Sequence, residues 1–238
     1  MRAMILAAGM GTRLRPLTNH RPKALVEIGG RTLLEITLAR LREFGICEVI
    51  INAHHCAEMI VDYLKANRNF GMRIEISREE ALLDTGGGLK KAAHFFLEDR
   101  ADEPFLVHNV DVISSIDLRR MVEFHRERHA LATLAVQERK SSRYLLFDDE
   151  LQLCGRQARD EAAELVRPAL RVQRLGFCGV HVVSPRIFPL LSEEGVFAIV
   201  PAYLRLAGEG ERILAFRADE YSWRDLGKIE DLPQTPCS

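Results

Sequence analysis

The chain of 238 residues has no surplus of either charge, with 33 basic against 34 acidic side chains and a formal net charge of −1. It carries no lysine-rich block or basic tail, so nucleic acid is not an expected partner. No apolar run is longer than a strand, which leaves no candidate for a membrane span. The N-terminus enters a strand directly, without the pattern of a signal peptide. Cysteine is sparse: Cys47, Cys56, Cys154, Cys178 and Cys237 are odd in number and form no C-x-x-C pair. A disulfide framework and structural zinc are both disfavoured, and a reducing cytoplasm is the expected location. One tryptophan and four tyrosines are little material for an aromatic cage around a quaternary amine. Internal repeats, low-complexity segments and proline-rich linkers are absent too.

Two familiar phosphate loops are also missing. No G-x-x-x-x-G-K-[ST] run exists, and a dinucleotide fingerprint would need glycine where Leu14 stands. What the chain has is an apolar run, Ala3 to Ala8, opening into a loop with Gly9, Gly11, Thr12 and Arg13, followed by Arg15 and Pro22-Lys23. Glycine lets the backbone approach a ligand with its N–H groups turned inward, which suits phosphate oxygens. Three cations on the same rim point to an anionic ligand.

The first half alternates strand and helix patterns: Glu48 to Ala53, Met72 to Ser77 and Phe105 to His108 as strands, with helices after Leu33, over Ala57 to Leu64, Gly87 to Leu97 and Leu118 to Arg128. Repeated βα units imply a mainly parallel sheet with helices on both faces and ligands at the carboxyl ends of its strands. That rule aligns the Gly9 loop, Asn52 and His54, the Asp84-Thr85-Gly86-Gly87 turn, and Asn109 with Asp111 along one edge. The second half reads differently. Tyr144 to Cys154 suggests a hairpin, 156–174 a charged loop or lid, Gly176 to Val183 a strand, and Trp223-Arg224-Asp225 a closing segment. A single nucleotidyltransferase domain over 1–238 is expected, with 1–130 as its nucleotide-binding half and 131–238 as its sugar-phosphate half.

Gly-x-Gly-Thr-Arg, Pro-Lys, the glycine turn, Asp111 and Trp-x-Asp, in this order, resemble the signature of the sugar-1-phosphate nucleotidylyltransferases. The Thr-Gly-Gly-Gly turn is most like that of the short N-acetylmuramate-1-phosphate uridylyltransferases; mannose- and heptose-1-phosphate guanylyltransferases carry related turns. The resemblance implies a Rossmann-like three-layer αβα sandwich, the GT-A-like nucleotidyltransferase fold, with a smaller β subregion for the sugar. It implies a nucleotidylyltransferase that forms a nucleotide-sugar and pyrophosphate from an NTP, UTP or GTP, and a sugar-1-phosphate, with Mg²⁺ as cofactor. Arg13 and Lys23 would be catalytic. Leu6, Ala7, Ala8, Gly9, Gly11, Thr12, Asp84, Thr85, Gly86 and Gly87 would bind the nucleotide. Asn52, His54, Asn109 and Gly179 would face the sugar, and Asp111 and Asp225 would hold the metal.

Three positions depart from the pattern: Val110 stands where relatives usually have glycine, and Arg224 and Lys228 replace commoner small or apolar residues. No Glu-Lys-Pro segment supplies a sugar-phosphate lysine; Val166-Arg167-Pro168 is nearest and is given no role. The short tail has no hexapeptide repeat, so a second, acyltransferase activity is not expected. A monomer or homodimer is expected. Two rival readings stay open: a catalytically silent nucleotide-sugar sensor, and a phosphocholine-type cytidylyltransferase.

Overall fold

Strands that are apolar on both faces must be covered from both sides, and that requirement organises the molecule. The structure, a computed structural model, describes residues 1–98, 102–159, 161–227 and 230. Its first half contains β1 (Arg2–Leu6), a small hairpin of β2 (Glu27–Ile28) and β3 (Arg31–Thr32), then β4 (Glu48–Ala53), β5 (Arg73–Arg78), β6 (Phe105–Asn109) and β7 (Val112–Ser114). The second half adds β8 (Ala132–Gln137), β9 (Arg143–Phe147), β10 (Leu153–Ala158), β11 (Glu164–Leu165), β12 (Gln173–Val183), β13 (Ile213–Arg217) and β14 (Trp223–Asp225). The helices are α1 (Leu33–Glu43), α2 (Ala57–Ala66), α3 (Asp84–Lys91), α4 (Ala93–Leu97), α5 (Leu118–Glu127) and α6 (Ile199–Gly208).

Strands β5, β4, β1 and β6 lie side by side and parallel. Then β12 runs antiparallel beside β6, β8 antiparallel beside β12, and β13 parallel to β8. Successive residues of a strand point to opposite faces, so Ala3 and Ile5 join one core with Leu38 of α1, Ile60 of α2 and Met121 of α5. Met4 joins the other, with Leu89 of α3, Phe95 of α4 and Tyr203 of α6. The fold is therefore α/β, a three-layer sandwich on a mainly parallel sheet, as expected. Among the described residues no helix is long and apolar enough to cross a membrane.

One strand joins the two halves. The last part of the eleven-residue β12 belongs to the main sheet, while its first residues pair with β9, which continues into β10 and β11. Two expectations are corrected here. The segment 156–174 is not a loop throughout: its start completes β10, Glu164–Leu165 pairs with that strand, and β12 begins at Gln173. The glycine turn is not a turn either, because α3 starts at Asp84 and Gly86, Gly87 and Gly88 form its buried first turns; the helix then breaks at Ala92 before α4.

Register sets the functional edge. Leu6 pairs with Asn52 on one side and Asn109 on the other, and Asn52 pairs with Ser77, so four strands end at one level. The sequence leaves each strand there through a turn, and those turns form the rim.

Candidate active site

Beyond Leu6 the chain turns over Pro22-Lys23. Gly11 has φ +61, and a Cβ on it would lie 2.8 Å from Thr18 Cγ2 and 3.2 Å from Lys23 Cβ. Only glycine fits both constraints. Thr18 Oγ1 donates to the Gly11 carbonyl at 2.7 Å, and the short turn Thr12–Leu14 then presents Arg13. This packing explains why Gly-Thr-Arg and Pro-Lys come as a pair. Lys23 is only 9% exposed, and its ammonium bonds the Asp111 carboxylate.

Asp111 follows Val110, which is buried and lies outside the left-handed region. The Val110 N–H donates to the Leu6 carbonyl at 3.1 Å. Valine is thus accommodated without displacing the aspartate. Strand β14 pairs with β7, setting Asp225 opposite Val112, and the Leu226 N–H donates to the Asp111 carbonyl at 2.8 Å. Burial and the Asp111 charge both push the Asp225 carboxyl up, while Lys23 and Arg13 oppose the shift. The two aspartates therefore feel each other. Arg224 sits between Trp223 and Asp225 with an exposed side chain, on the opposite face of the strand from Asp225, so it does not crowd the pair. Lys228 lies outside the described residues.

Two adjoining cavities open on this edge. The smaller, about 190 Å³, is lined by Leu6, Ala7, Ala8, Gly9, Lys23 and Asp111 among others; the larger, about 1000 Å³, reaches Arg13 and Asp225. Leu6, Asp84, Thr85 and Asn109 line both, so they are compartments of one cleft. A Cβ on Gly9 would meet nothing within 4 Å, leaving the loop open to an approaching ligand.

Other expected residues do different work. Gly11 and Thr12 line neither cavity and shape the loop. The amide groups of Gly86 and Gly87 are already committed, both donating to the Phe197 carbonyl at 2.9 and 3.1 Å. A Cβ on Gly86 would strike the Phe197 ring, one on Gly87 the Gly195 carbonyl, and one on Gly88 would come within 2.8 Å of Glu79 and Asn52. The three glycines serve internal packing, not ligand approach. Asn52 does line the smaller cavity, but its amide is spent: Oδ1 accepts from the Ala7 N–H at 2.7 Å and Nδ2 donates to Glu79 at 2.8 Å. His54 bonds the Glu79 carbonyl at 2.8 Å and lines neither cavity. Gly179, at φ +71, lines neither cavity and leaves room for Asn109, whose Nδ2 would lie 2.7 Å from a Cβ there. Asn109 alone of that group faces both compartments.

Several residues at this edge were not foreseen. Glu79, 5% exposed, also accepts the Leu83 N–H at 2.9 Å and fixes the entry to α3. Its place just past a strand end was a usable signal, the same one that marked Asp111. Arg143, Arg156 and His181 line the larger cavity. Burial pushes His181 down to about 3, so it stays neutral, bonded to Tyr203 Oη at 2.7 Å. Arg156 is paired with Glu164 at 2.6 Å. Arg167 is paired with Asp148 at 3.0 Å and lines neither cavity.

Comparison with known proteins gives the family and the fold. Residues 2–150 match the family described as Nucleotidyl transferase. An N-acetylmuramate alpha-1-phosphate uridylyltransferase from Caulobacter vibrioides is 35% identical over 94% of this chain and 91% of its own length. A UTP–glucose-1-phosphate uridylyltransferase from Synechocystis sp. is 29% identical over 97% of this chain, which spans 61% of that relative. In structure, HddC from Yersinia pseudotuberculosis complexed with GMP-PN superposes with a TM-score of 0.74 at 21% identity, covering 97% of this chain and 95% of its own.

Proposed function

The chain belongs to the nucleotidyl transferase family, and on that premise we propose that it joins an NTP to a sugar-1-phosphate with release of pyrophosphate. The carrying observation is the convergence of Arg13, Lys23, Asp111 and Asp225 at the junction of two cavities. The attacking phosphate is largely ionised near neutral pH because its second pKa is about 6, so no general base is required. The difficulty is to bring two anions together and hold them in line.

Arg13 and the Gly9 loop take the triphosphate, and Lys23 lies between the reacting phosphates. Among the described residues no cluster of three or more His, Cys, Asp or Glu could hold a metal alone. Two converging carboxylates, one raised by burial and by the charge of the other, are the groups that would hold a Mg²⁺ ion with few protein ligands. When bound between Asp111 and Asp225, such an ion would offset phosphate charge. In the larger compartment Asn109 faces the sugar, and Arg143, which has no ion pair among the described residues, offers a further cation.

UTP with an amino-sugar-1-phosphate such as N-acetylmuramate-1-phosphate is the substrate pair supported by the relative that this chain covers almost end to end. The test is pyrophosphate release with Mg²⁺ across five NTPs and a panel of sugar-1-phosphates. Release that needs one NTP and one sugar phosphate together is the expected result. Silence from a protein that still binds nucleotide would leave a sensor in its place.

A further inference from the structure

We propose that the cavity between the β8–β9 turn and the start of β12 is a second anion site, one that takes a phosphate-bearing small molecule, and that Arg139 carries its occupancy to the active-site cleft. The cavity has a volume of about 460 Å³ and is lined by Glu138, Arg139 and Lys140 of the turn, Tyr144 of β9 and Arg174 of β12, among others. Among the described residues it meets the lining of the larger compartment only at Tyr144. Its cations are none of those that face the triphosphate or the sugar phosphate.

Like charges gathered around a hollow repel one another unless an anion joins them. Three cations line this one against a single carboxylate, and that carboxylate, Glu138, already pairs with Arg217 at 3.6 Å. Lys140 and Arg174 are exposed and make no ion pair among the described residues; Arg174 lies over the Tyr144 ring, 5.6 Å from its centroid. Arg139 is held more firmly. It is half-buried, again without a carboxylate partner among the described residues, and its guanidinium lies over the Trp223 ring, 4.0 Å from the centroid. Its Nη2 donates to the Phe177 carbonyl at 2.8 Å, and Gly176 makes the room, because a Cβ there would lie 2.9 Å from the Arg139 Cζ. Its Nη1 has only the Lys140 carbonyl, at a long 3.4 Å, and so keeps donor capacity. A guanidinium already seated loses little freedom on meeting a phosphate. Lys140 and Arg174 supply the further charge that a phosphate dianion needs near neutral pH.

Two contacts tie Arg139 to the cleft. Trp223 opens β14, the strand that ends on Asp225, and its Nε1 donates to the Cys178 carbonyl at 2.8 Å. Phe177 lines the larger compartment. An anion on Nη1 pins the guanidinium against both, which steadies the seat of Asp225 and the wall that faces the sugar. This link rests on the cleft being the transferase site; the binding does not.

Trp223 is the only tryptophan of the chain, so its fluorescence reports on the cavity without a label. The wild type would be titrated with inorganic phosphate, pyrophosphate and glucose 6-phosphate, against chloride at matched ionic strength. The same titrations would be run on Arg13→Ala, on Arg139→Lys and on the double variant Lys140→Ala/Arg174→Ala, whose two replaced side chains are exposed. A saturable change with at least one phosphate, absent with chloride, is expected. Its midpoint should stay within about threefold in Arg13→Ala, as for independent sites, and rise about tenfold in the double variant, the joint worth of two exposed charges. Arg139→Lys keeps the charge without the flat contact, and should bind the anion yet lose most of the fluorescence change. The bound anion should lower KM for the sugar-1-phosphate by about threefold or more in the wild type and leave it unmoved in the double variant. Tighter binding of glucose 6-phosphate than of phosphate would name a phosphomonoester as the occupant, and the reverse an inorganic anion; both keep the site.

A fluorescence change that vanishes in Arg13→Ala but survives in the double variant would put the anion in the cleft and overturn the proposal. So would a response no larger than that to chloride. With the cavity filled, an unchanged KM, or one raised by competition for the cleft, would overturn the link through Arg139. Saturable binding by a protein that releases no pyrophosphate under any condition would sink the transferase reading and leave this site standing.

Discussion

Lys23 and Arg143 are cations on different walls of one cleft, yet they live in different solvents. Lys23 is 9% exposed, wedged under the Gly11 turn and bonded to Asp111. Arg143, the first residue of β9, is exposed and has no ion pair among the described residues. The first wall is the end of a parallel sheet whose faces are covered by helices. The second is a twisted extension of β9, β10 and β11 that solvent reaches from outside. Charges separated by protein interact several-fold more strongly than charges separated by water, so the same side-chain chemistry should weigh more on the first wall.

The largest effect should follow from breaking the first wall. Arg13→Ala and Asp111→Asn are each expected to cut turnover by about 10²–10³, the loss typical of one preorganised electrostatic group. Steady-state pyrophosphate release measures it. Rates within tenfold of wild type in both variants would mean that phosphate chemistry happens elsewhere in the cleft.

A middle-sized effect separates glycines that serve the fold from glycines that serve the ligand. A Cβ on Gly87 meets the Gly195 carbonyl, whereas one on Gly9 meets nothing within 4 Å. Gly87→Ala gains helix propensity but must shift backbone, and a net loss of about 1–2 kcal/mol is expected in urea unfolding. Gly9→Ala should leave stability within about 0.5 kcal/mol and weaken nucleotide binding instead. Equal stability of the two variants would remove the contrast.

The sequence was legible where local pattern and function coincide. Strand ends at Leu6, Asn52 and Asn109, and the aspartates at 111 and 225, follow from apolar runs that stop at polar residues. Partner choice was not legible. Asn52 and His54 sit at the right edge, but Glu79, from the neighbouring strand's exit, engages the side chains of both. The glycines of α3 looked like a ligand turn because letters do not show Phe197 packing across them from 111 residues away. In 156–174 the strands are short and charged, and pairing with β9 and β10 rather than apolar periodicity makes them strands.

The smallest effect belongs to the exposed wall. Arg143→Ala removes a solvated cation that faces a large, open compartment, so it should raise KM for the sugar phosphate by only about three- to tenfold, in keeping with the modest worth of exposed charge pairs. Its melting temperature should match that of wild type, because the guanidinium has no ion pair to lose among the described residues. Salt sharpens the point. Exposed charges are screened as ionic strength rises, whereas partly buried ones are screened far less. The difference between wild type and Arg143→Ala should therefore shrink at high salt, while the deficit of Asp111→Asn, whose carboxylate is partly buried beside Lys23, persists. If Arg143→Ala instead costs as much as Asp111→Asn and keeps that cost in salt, the open wall closes on the sugar phosphate during turnover, and exposure in the free protein is the wrong guide to its chemistry.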